Sequence, residues 1–264
     1  MRILVTNDDG INAPGLKVLQ EIAAQLSKDV WTVAPETNQS GASHSLTLHE
    51  PLRCREVGEK QFAVRGTPTD CVIMGVRHLM LDHPPDLVLS GVNSGANIAE
   101  DVTYSGTIAA AIEGTLLGIR SIAMSLTYGF DDDGSIHWDS PLIHGPDIVR
   151  KLLASAWEPG IVMNVNYPDL PPTEVQGIAV TGQGRRDQNT LHIDKRVDTW
   201  GTPYFWFGFA HRKSNPIEGT DLWAIYRGLI SVTPLSVNQT DALARDALRT
   251  AFDAPRRKQA PKAK

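Results

Sequence analysis

The chain has 264 residues, 41% of them hydrophobic, and a formal net charge of −5, a size that allows one large α/β domain or two small ones. An acidic body argues against a nucleic-acid-binding surface, and no stretch approaches the roughly 18 apolar residues of a membrane span. The N-terminus lacks the basic and apolar regions of a signal peptide, so we expect a cytoplasmic protein in which Cys54 and Cys71 are free thiols.

The first predicted element is a buried parallel strand, because the chain opens with a short apolar run. This run ends in Asn7-Asp8-Asp9-Gly10, and ligands of open α/β sheets lie outside the carboxyl ends of the strands. Successive strand side chains point in opposite directions, so Asp8 and Asp9 converge only if the chain turns, which Gly10 permits. Convergent carboxylates repel each other, and a divalent cation relieves that repulsion. The alternative is a solvated turn with an Asx hydrogen bond.

Strand and helix patterns alternate as far as about residue 130 and predict a mostly parallel sheet. Helices are expected from Pro14, from Gly66-Thr67-Pro68 to about Leu81, and near Gly106. The first of them has an apolar stripe at helical spacing, formed by Leu16, Leu19, Ile22, Ala23 and Leu26. Strands are expected at residues 30–34, 45–49, 86–90 and 121–126, with residues 62–65 pairing near the second.

The second half of the chain is expected to add a surface loop at residues 131–134, a helix at 147–156 and a strand at 161–166. Residues 191–197 and 204–209 predict a long hairpin that carries many aromatic side chains. Because an isolated hairpin is barely stable, we expect these rings to pack against another subunit. Burial within the same chain is the alternative.

We expect a single α/β domain over residues 1–253. Its parts are a core at about 1–176, a hairpin extension at about 177–233 and a C-terminal helix at about 240–252. Residues 254–264 contain five cations and no acid, and their composition is typical of a disordered tail.

Three polar loops follow three predicted strands, at residues 7–10, 38–43 and 90–97. They gather at one edge of a parallel sheet and offer oxygen donors without a His/Cys cluster, which suits Mg²⁺ or Mn²⁺ rather than zinc. A fourth segment, Tyr104-Ser105-Gly106-Thr107, opens a helix whose N–H groups and dipole favour phosphate. A metal beside a phosphate site predicts phosphoryl chemistry. The alternative interpretation is that the four segments are ordinary polar loops and an ordinary helix cap without a binding role.

These segments resemble the survival protein SurE family of 5′/3′-nucleotidases. The motifs that carry the resemblance lie at residues 2–10, 33–48, 66–71, 90–114 and 231–235, and the likeness extends to about residue 250. It implies a Rossmann-like, mostly parallel sheet flanked by helices, with a C-terminal β-hairpin extension for oligomerisation. The implied reaction is hydrolysis of nucleoside 5′- and 3′-monophosphates to nucleoside and phosphate. The family's dimers or tetramers, formed through C-terminal exchange, fit the aromatic hairpin.

The resemblance also implies a set of site residues. One divalent ion is expected to be held by Asp8, Asp9, Ser40 and Asn93. Phosphate is expected to be bound by Asn97, Ser105, Gly106 and Thr107, and the catalytic residues are Asp8, Asp9 and Asn97. At Gly106 the missing side chain is expected to let phosphate approach the backbone, so a side chain there displaces phosphate without disturbing the metal.

The chain departs from the family pattern at two places: Ala99 stands where the family usually has glycine, and the basic tail at residues 254–264 has no family counterpart and is assigned no role. Arg185 and Arg186 either steer phosphate or are solvated surface charges.

Two alternative functions remain. An aspartyl-nucleophile phosphatase fits less well, because haloacid-dehalogenase-like enzymes use Asp-x-Asp. A non-catalytic receiver-like module needs a third aspartate and a lysine at later strand ends, where Ser90 and Ser125 stand. No general base is assigned; His44, the histidine nearest the second loop, is expected to be a loop histidine with a partner.

Overall fold

The computed structural model describes residues 1–128, 136–187, 191–209 and 214–253. Within these ranges the strands are β1 (Arg2–Thr6), β2 (Asp29–Pro35), β3 (Arg53–Gly58), β4 (Gln61–Arg65), β5 (Leu87–Ser94), β6 (Arg120–Leu126), β7 (Ile161–Tyr167), β8 (Ile178–Val180), β9 (Leu191–Val197), β10 (Pro203–Phe209) and β11 (Ile230–Ser236). The α-helices are α1 (Pro14–Ala24), α2 (Pro68–Met74), α3 (Gly106–Leu116), α4 (Asp139–Ala154), α5 (Asp221–Tyr226) and α6 (Ala242–Asp253).

A nine-stranded sheet forms the body of the protein, in the order β3-β4-β2-β1-β5-β6-β7-β11-β8. Strands β4, β2, β1, β5, β6 and β7 pair in parallel, whereas β3 joins β4 and β11 joins β7 in antiparallel fashion. The predicted mostly parallel sheet is therefore confirmed. The chain passes from β1 to β2 on one side and adds β5 on the other. Such a reversal of strand order opens a crevice at the carboxyl ends of the strands, which is where ligands bind.

Helices pack on both faces of the sheet and fix the position of β1. On one face, Ile3 and Val5 lie in a cluster with the stripe of α1, and its residues Leu16, Leu19, Ile22 and Ala23 are fully buried as predicted. On the other face, Leu4 packs with Val72 of α2 and Ala110 of α3. Because β1 is held between two helical layers, the residues that follow it have a defined place at the crevice.

The strand predicted at residues 45–49 is wrong. This segment has no regular structure, and its polar groups bond to the start of α2 instead of to a sheet. The Thr47 N–H and hydroxyl donate to the Asp70 carboxylate at 3.1 and 2.6 Å, and the Thr67 hydroxyl donates to the Ser45 carbonyl at 2.8 Å. The strand that pairs with β4 is β3, which begins at Arg53.

The helix predicted at residues 147–156 begins eight residues earlier, because α4 starts at Asp139 and contains Pro146 in its interior. Gly145 and Pro146 are both buried, and a Cβ on Gly145 would lie 2.9 Å from Ile22 Cδ1. Close packing of α4 on α1 therefore stabilises a helix whose interior contains glycine and proline, two residues of low helix propensity. The α2 region agrees better with the prediction, since a π-helix at Gly75–Leu79 continues it towards Leu81.

The predicted hairpin is confirmed: β9 and β10 pair antiparallel as a separate two-stranded sheet. The aromatic side chains of residues 200–207, for which burial is described, are exposed in the single chain. Trp200 is 87% exposed and Phe207 is 76% exposed, and Leu243 and Phe252 of α6 are each 84% exposed.

Within the described ranges, none of the helices has the length and apolar character required to cross a membrane. The predicted loop at 131–134 and the predicted tail at 254–264 lie outside the described residues.

Candidate active site

Asp8 lies at the carboxyl end of β1 with 4% of its surface exposed. Its carboxylate accepts a 2.5 Å hydrogen bond from the hydroxyl of Thr107, in the first turn of α3. Gly106, one residue earlier, lies so close that a Cβ on it would be 2.8 Å from Asp8 Cβ and 2.9 Å from Asp8 Oδ2. The start of α3 therefore holds Asp8 directly.

Asp9 is half-buried and is held by different loops. Its Oδ2 accepts the Ser94 N–H at 3.1 Å, and its Oδ1 accepts the Asn38 amide at 3.4 Å. The turn that separates the two aspartates is closed by Asn7, whose side chain bonds to the N–H and C=O of Gly10 at 3.2 and 3.0 Å. Gly10 has a φ of +103°, a conformation that glycine adopts without strain. An Asx turn is thus present, but Asn7 forms it, and neither Asp8 nor Asp9 is used to close it.

The two carboxylates are electrostatically unsatisfied. Burial raises the pKa of Asp8 to about 6, the Thr107 hydroxyl bond opposes that rise, and the charge of Asp9 adds to it. Burial also raises the pKa of Asp9 above its ordinary value, opposed by the N–H of Ser94. Among the described residues, no cationic side chain contributes to either shift. Two adjacent carboxylates without a cationic partner form a site that favours a bound cation.

The loop after β2 is attached to the same turn. The Gln39 N–H donates to the Asp8 carbonyl at 2.7 Å, and Ser40, which follows it, is exposed. The Ser43 hydroxyl donates to the Thr103 carbonyl at 2.9 Å. His44 lies 2.9 Å from the Glu113 carboxylate on α3, as expected for a loop histidine with a partner.

Asn93 is the penultimate residue of β5, and Asn97 lies in the loop that follows this strand. The Asn93 amide donates to the Gly95 carbonyl at 2.8 Å, which leaves its Oδ1 for another contact. Asn97 is 6% exposed, and its amide nitrogen donates to the Ser125 hydroxyl at 2.8 Å. An amide nitrogen carries two hydrogens, so Asn97 retains one for a ligand.

The side chains of Ser105 and Thr107 are occupied by contacts within the protein. The Ser105 hydroxyl caps α3 by accepting the Ile108 N–H at 3.1 Å, and the Thr107 hydroxyl bonds to Asp8. The backbone N–H of Thr107 also lowers the pKa of Asp8. Of the predicted phosphate-binding groups, the Gly106 N–H, the Asn97 amide and the Ser105 hydroxyl therefore have a donor hydrogen left among the described residues, since Ser105 only accepts in its cap bond.

Two predicted neighbours have structural roles. Arg186 forms a two-bond ion pair with Asp101 at 3.0 and 2.6 Å and contacts Glu100 at 3.3 Å, whereas Arg185 is exposed. Arg186 thus braces the turn before α3. Ala99 adopts a φ of +52°, the left-handed conformation that suits glycine at this position.

Several residues that contact the site segments were not predicted, chiefly Ser94, Asn164, Asn166 and Asp221. The alternation Asn164-x-Asn166 on β7 is a usable signal, because it places two amides on one face of a predicted buried strand. Asp221 bonds to the N–H groups of Ala99, Gly184 and Leu222 at 3.0, 2.8 and 2.7 Å. No local sequence pattern predicts that Asp221 bonds to Ala99 and Gly184.

Comparison with known proteins gives consistent matches. Residues 3–190 match the family model described as survival protein SurE. The 5′-nucleotidase SurE of Methylobacterium radiotolerans is 62% identical over 241 residues, covering 91% of this chain and 95% of that protein. The 5′-nucleotidase SurE of Methylorubrum extorquens is 59% identical over 254 residues, covering 96% and 100%. The crystal structure of the SurE protein from Aquifex aeolicus superposes with a TM-score of 0.80 at 39% identity, covering 96% of this chain and 100% of that chain.

Proposed function

The chain belongs to the survival protein SurE family, and from that premise we propose that it is a metal-dependent 5′-nucleotidase. The substrates are nucleoside 5′-monophosphates, with 3′-monophosphates as a second class, and the products are nucleoside and phosphate. The relatives named 5′-nucleotidase SurE cover nearly the whole chain. The observation that carries the proposal is the pair of adjacent carboxylates Asp8 and Asp9 after β1, with Asp8 bonded to Thr107 in the first turn of α3 and no cationic partner for either among the described residues.

We propose that Asp8, Asp9, Ser40 and Asn93 hold one divalent ion, Mg²⁺ or Mn²⁺. The donor set fits such an ion, because two carboxylates lack a cationic partner among the described residues and the Asn93 oxygen is not used within its loop. The described residues contain no group of three His, Cys, Asp or Glu that could hold a metal, so the neutral oxygens of Ser40 and Asn93 have to complete the set. A bound divalent ion supplies Lewis-acid stabilisation of phosphoryl charge and activates water.

The remaining groups of the chain bind and orient the phosphate. The Gly106 N–H lies at the positive end of α3, and the free hydrogen of the Asn97 amide supplies a second donor. Donors fixed before the substrate arrives stabilise charge without reorganisation. The buried position of Asn97 and its bond to Ser125 support this role.

We further propose that the chain works as a homodimer or homotetramer. The hairpin β9–β10 presents Trp206 and Phe205 to solvent at 61% and 59% exposure, next to Trp200 and Phe207. Large apolar side chains that are exposed in such number on one element are typical of interfaces between subunits.

A panel of nucleoside 5′- and 3′-monophosphates, assayed with Mg²⁺, Mn²⁺ and a chelator, tests the proposed activity. We expect hydrolysis that requires added metal and is lost in Asp8→Asn. Asp147→Asn is the matched control, because its side chain is 75% exposed on α4, and it keeps full activity. Full activity of the chelated wild type contradicts metal dependence. An aspartyl-phosphate trapped with borohydride favours the aspartyl-nucleophile alternative.

A further inference from the structure

A row of buried polar side chains lies on the face of the sheet that packs against α3. Register pairs place Ser125 on β6 and Ser231 on β11 on either side of Asn166 on β7. Asn164 lies on the same face two residues earlier, since strand side chains alternate. All four residues are 0% exposed. Buried polar groups persist when they are hydrogen-bonded, so the partners of this row reveal its role.

Three of the four side chains bond to a single residue, Asn97, whereas the Ser231 hydroxyl has no partner among the described residues. The Asn166 side chain accepts the Asn97 N–H at 2.8 Å and donates to the Asn97 carbonyl at 3.2 Å. Asn164 donates to the same carbonyl at 2.8 Å, and Ser125 accepts the Asn97 side-chain amide at 2.8 Å. Every hydrogen-bonding group of Asn97 except one amide hydrogen and its Oδ1 is thus engaged by the sheet.

We propose that Asn166 is a positioning residue that acts through Asn97, an inference that rests on the proposed function. Among the described residues, Asn166 is the one side chain that hydrogen-bonds to both backbone groups of Asn97, as a neighbouring strand would. Its amide therefore fixes the rotation of the peptide units on both sides of Asn97 and so aims the free amide hydrogen at the phosphate. Small misplacements of such a donor reduce the rate strongly.

The segment that contains Asn97 has a second, independent attachment. Ala99 donates to Asp221 at 3.0 Å and accepts a bond from Gln183 at 2.8 Å. Loss of Asn166 therefore loosens Asn97 while the loop stays in place. Among the described residues, the side-chain hydrogen bonds of Asn166 go to Asn97 and to none of the side chains proposed to bind the metal, so metal affinity is expected to stay constant.

The primary test is a double-mutant cycle with Asn97→Ala and Asn166→Ala. Asn166→Ala is expected to lower kcat at least tenfold, with Mn²⁺ affinity measured by calorimetry unchanged. In the Asn97→Ala background the same substitution is expected to change kcat less than twofold, because its target is already gone. The inference is overturned if the kcat loss of the double variant equals the product of the losses in the two single variants. It is also overturned if either single variant keeps full activity.

Two variants separate positioning from a general packing defect. Ser231→Ala removes a buried hydroxyl that has no partner among the described residues, directly across from Asn166, and keeps full kcat. Asn164→Ala leaves the Asn97 carbonyl with its bond from Asn166 and lowers kcat less than threefold. If Asn164→Ala costs as much as Asn166→Ala, the role is structural and the inference fails. Should Asn166→Ala not fold, Asn166→Asp takes its place in the cycle, since it keeps the acceptor for the Asn97 N–H.

Phosphate binding separates this inference from the proposed function. With Mn²⁺ present, titration of inorganic phosphate into the protein is expected to show equal losses of affinity in Asn97→Ala and Asn166→Ala. If the two variants lose phosphate affinity equally but the wild type hydrolyses no nucleotide, the nucleotidase activity is refuted and the positioning role is retained. A wild-type protein that hydrolyses nucleotides while Asn166→Ala binds phosphate normally refutes only the positioning role. No phosphate binding by the wild type overturns both.

Discussion

Gly106 is in direct contact with Asp8: a Cβ on Gly106 would lie 2.8 Å from the Cβ of Asp8, closer than such atoms approach in proteins. The residue that opens α3 therefore packs on the carboxylate at the end of β1. The sequence suggested that a side chain at Gly106 affects phosphate alone. The structure changes that expectation, because the first group that a side chain meets is a proposed metal ligand.

Replacement of Gly106 is accordingly expected to damage both binding steps. Gly106→Val should lower kcat/KM at least a hundredfold, about 2.7 kcal/mol of barrier, and should also weaken Mn²⁺ binding measured by calorimetry. Gly182→Ala is the control, since its added Cβ has no neighbour within 4 Å. This variant should retain the wild-type kcat/KM and the wild-type Mn²⁺ affinity. Unchanged metal affinity in Gly106→Val would show that Asp8 does not have to move.

The hydroxyl of Thr107 should matter for the orientation of Asp8. Thr107→Val keeps the side-chain shape but removes the 2.5 Å bond to the carboxylate, so we expect about tenfold lower activity and weaker Mn²⁺ binding. Thr107→Ser keeps the hydroxyl, and its activity and Mn²⁺ affinity should both be within threefold of the wild-type values. Equal losses in both variants would assign the effect to packing by the methyl group.

Metal removal and Asp8→Asn should both abolish activity but should change stability in opposite directions. The buried Asp8 is destabilising in the metal-free protein because of its burial and the neighbouring Asp9. Asp8→Asn should therefore abolish activity and raise the melting temperature of the chelated protein by ~2–4 °C, about 1 kcal/mol. Added Mn²⁺ should raise the melting temperature of the wild type and leave that of Asp8→Asn unchanged. A lower melting temperature for chelated Asp8→Asn argues against this account.

The hairpin is expected to hold subunits together. Phe207→Asp places a charge on a side chain that is 76% exposed in the single chain and should yield monomers in analytical ultracentrifugation. Leu81→Asp, on a residue 61% exposed in the main body, is the control and should sediment as the wild type does. A wild-type protein that is monomeric at micromolar concentration would refute the assembly.

The acid stability of the protein should depend on Asp29. Hydrogen bonds from Lys60 and Arg2, at 2.8 Å each, hold the pKa of Asp29 well below its usual range. A depressed carboxyl pKa stabilises the fold above the unfolded-state pKa, near 4, and that contribution is lost as the pH falls. Asp29→Asn should therefore unfold at lower urea concentration than the wild type at pH 7, with a smaller difference at pH 3. An equal difference at both pH values would contradict the linkage.

Much of the fold and part of the site could be predicted from local sequence patterns. The apolar run before Asp8, the stripe of α1 and the Ser105 cap are local patterns, and short-range periodicity and turn chemistry were enough to place them. The family resemblance nominated the site residues, and the structure brings Asp8, Asp9 and the N-terminus of α3 to one crevice.

Tertiary structure alone decided which partner each polar group takes. Thr107 lies 99 residues from Asp8 and Asn166 lies 69 residues from Asn97, and no local pattern links residues so far apart. The same is true of residues 45–49, where bonds to Asp70 replaced a strand that alternation had predicted, and of α4, where burial against Ile22 outweighed the cost of Pro146. In each case the free energy of a long-range contact exceeded a local preference of about 1–3 kcal/mol, and such contacts exist only after the sheet has formed.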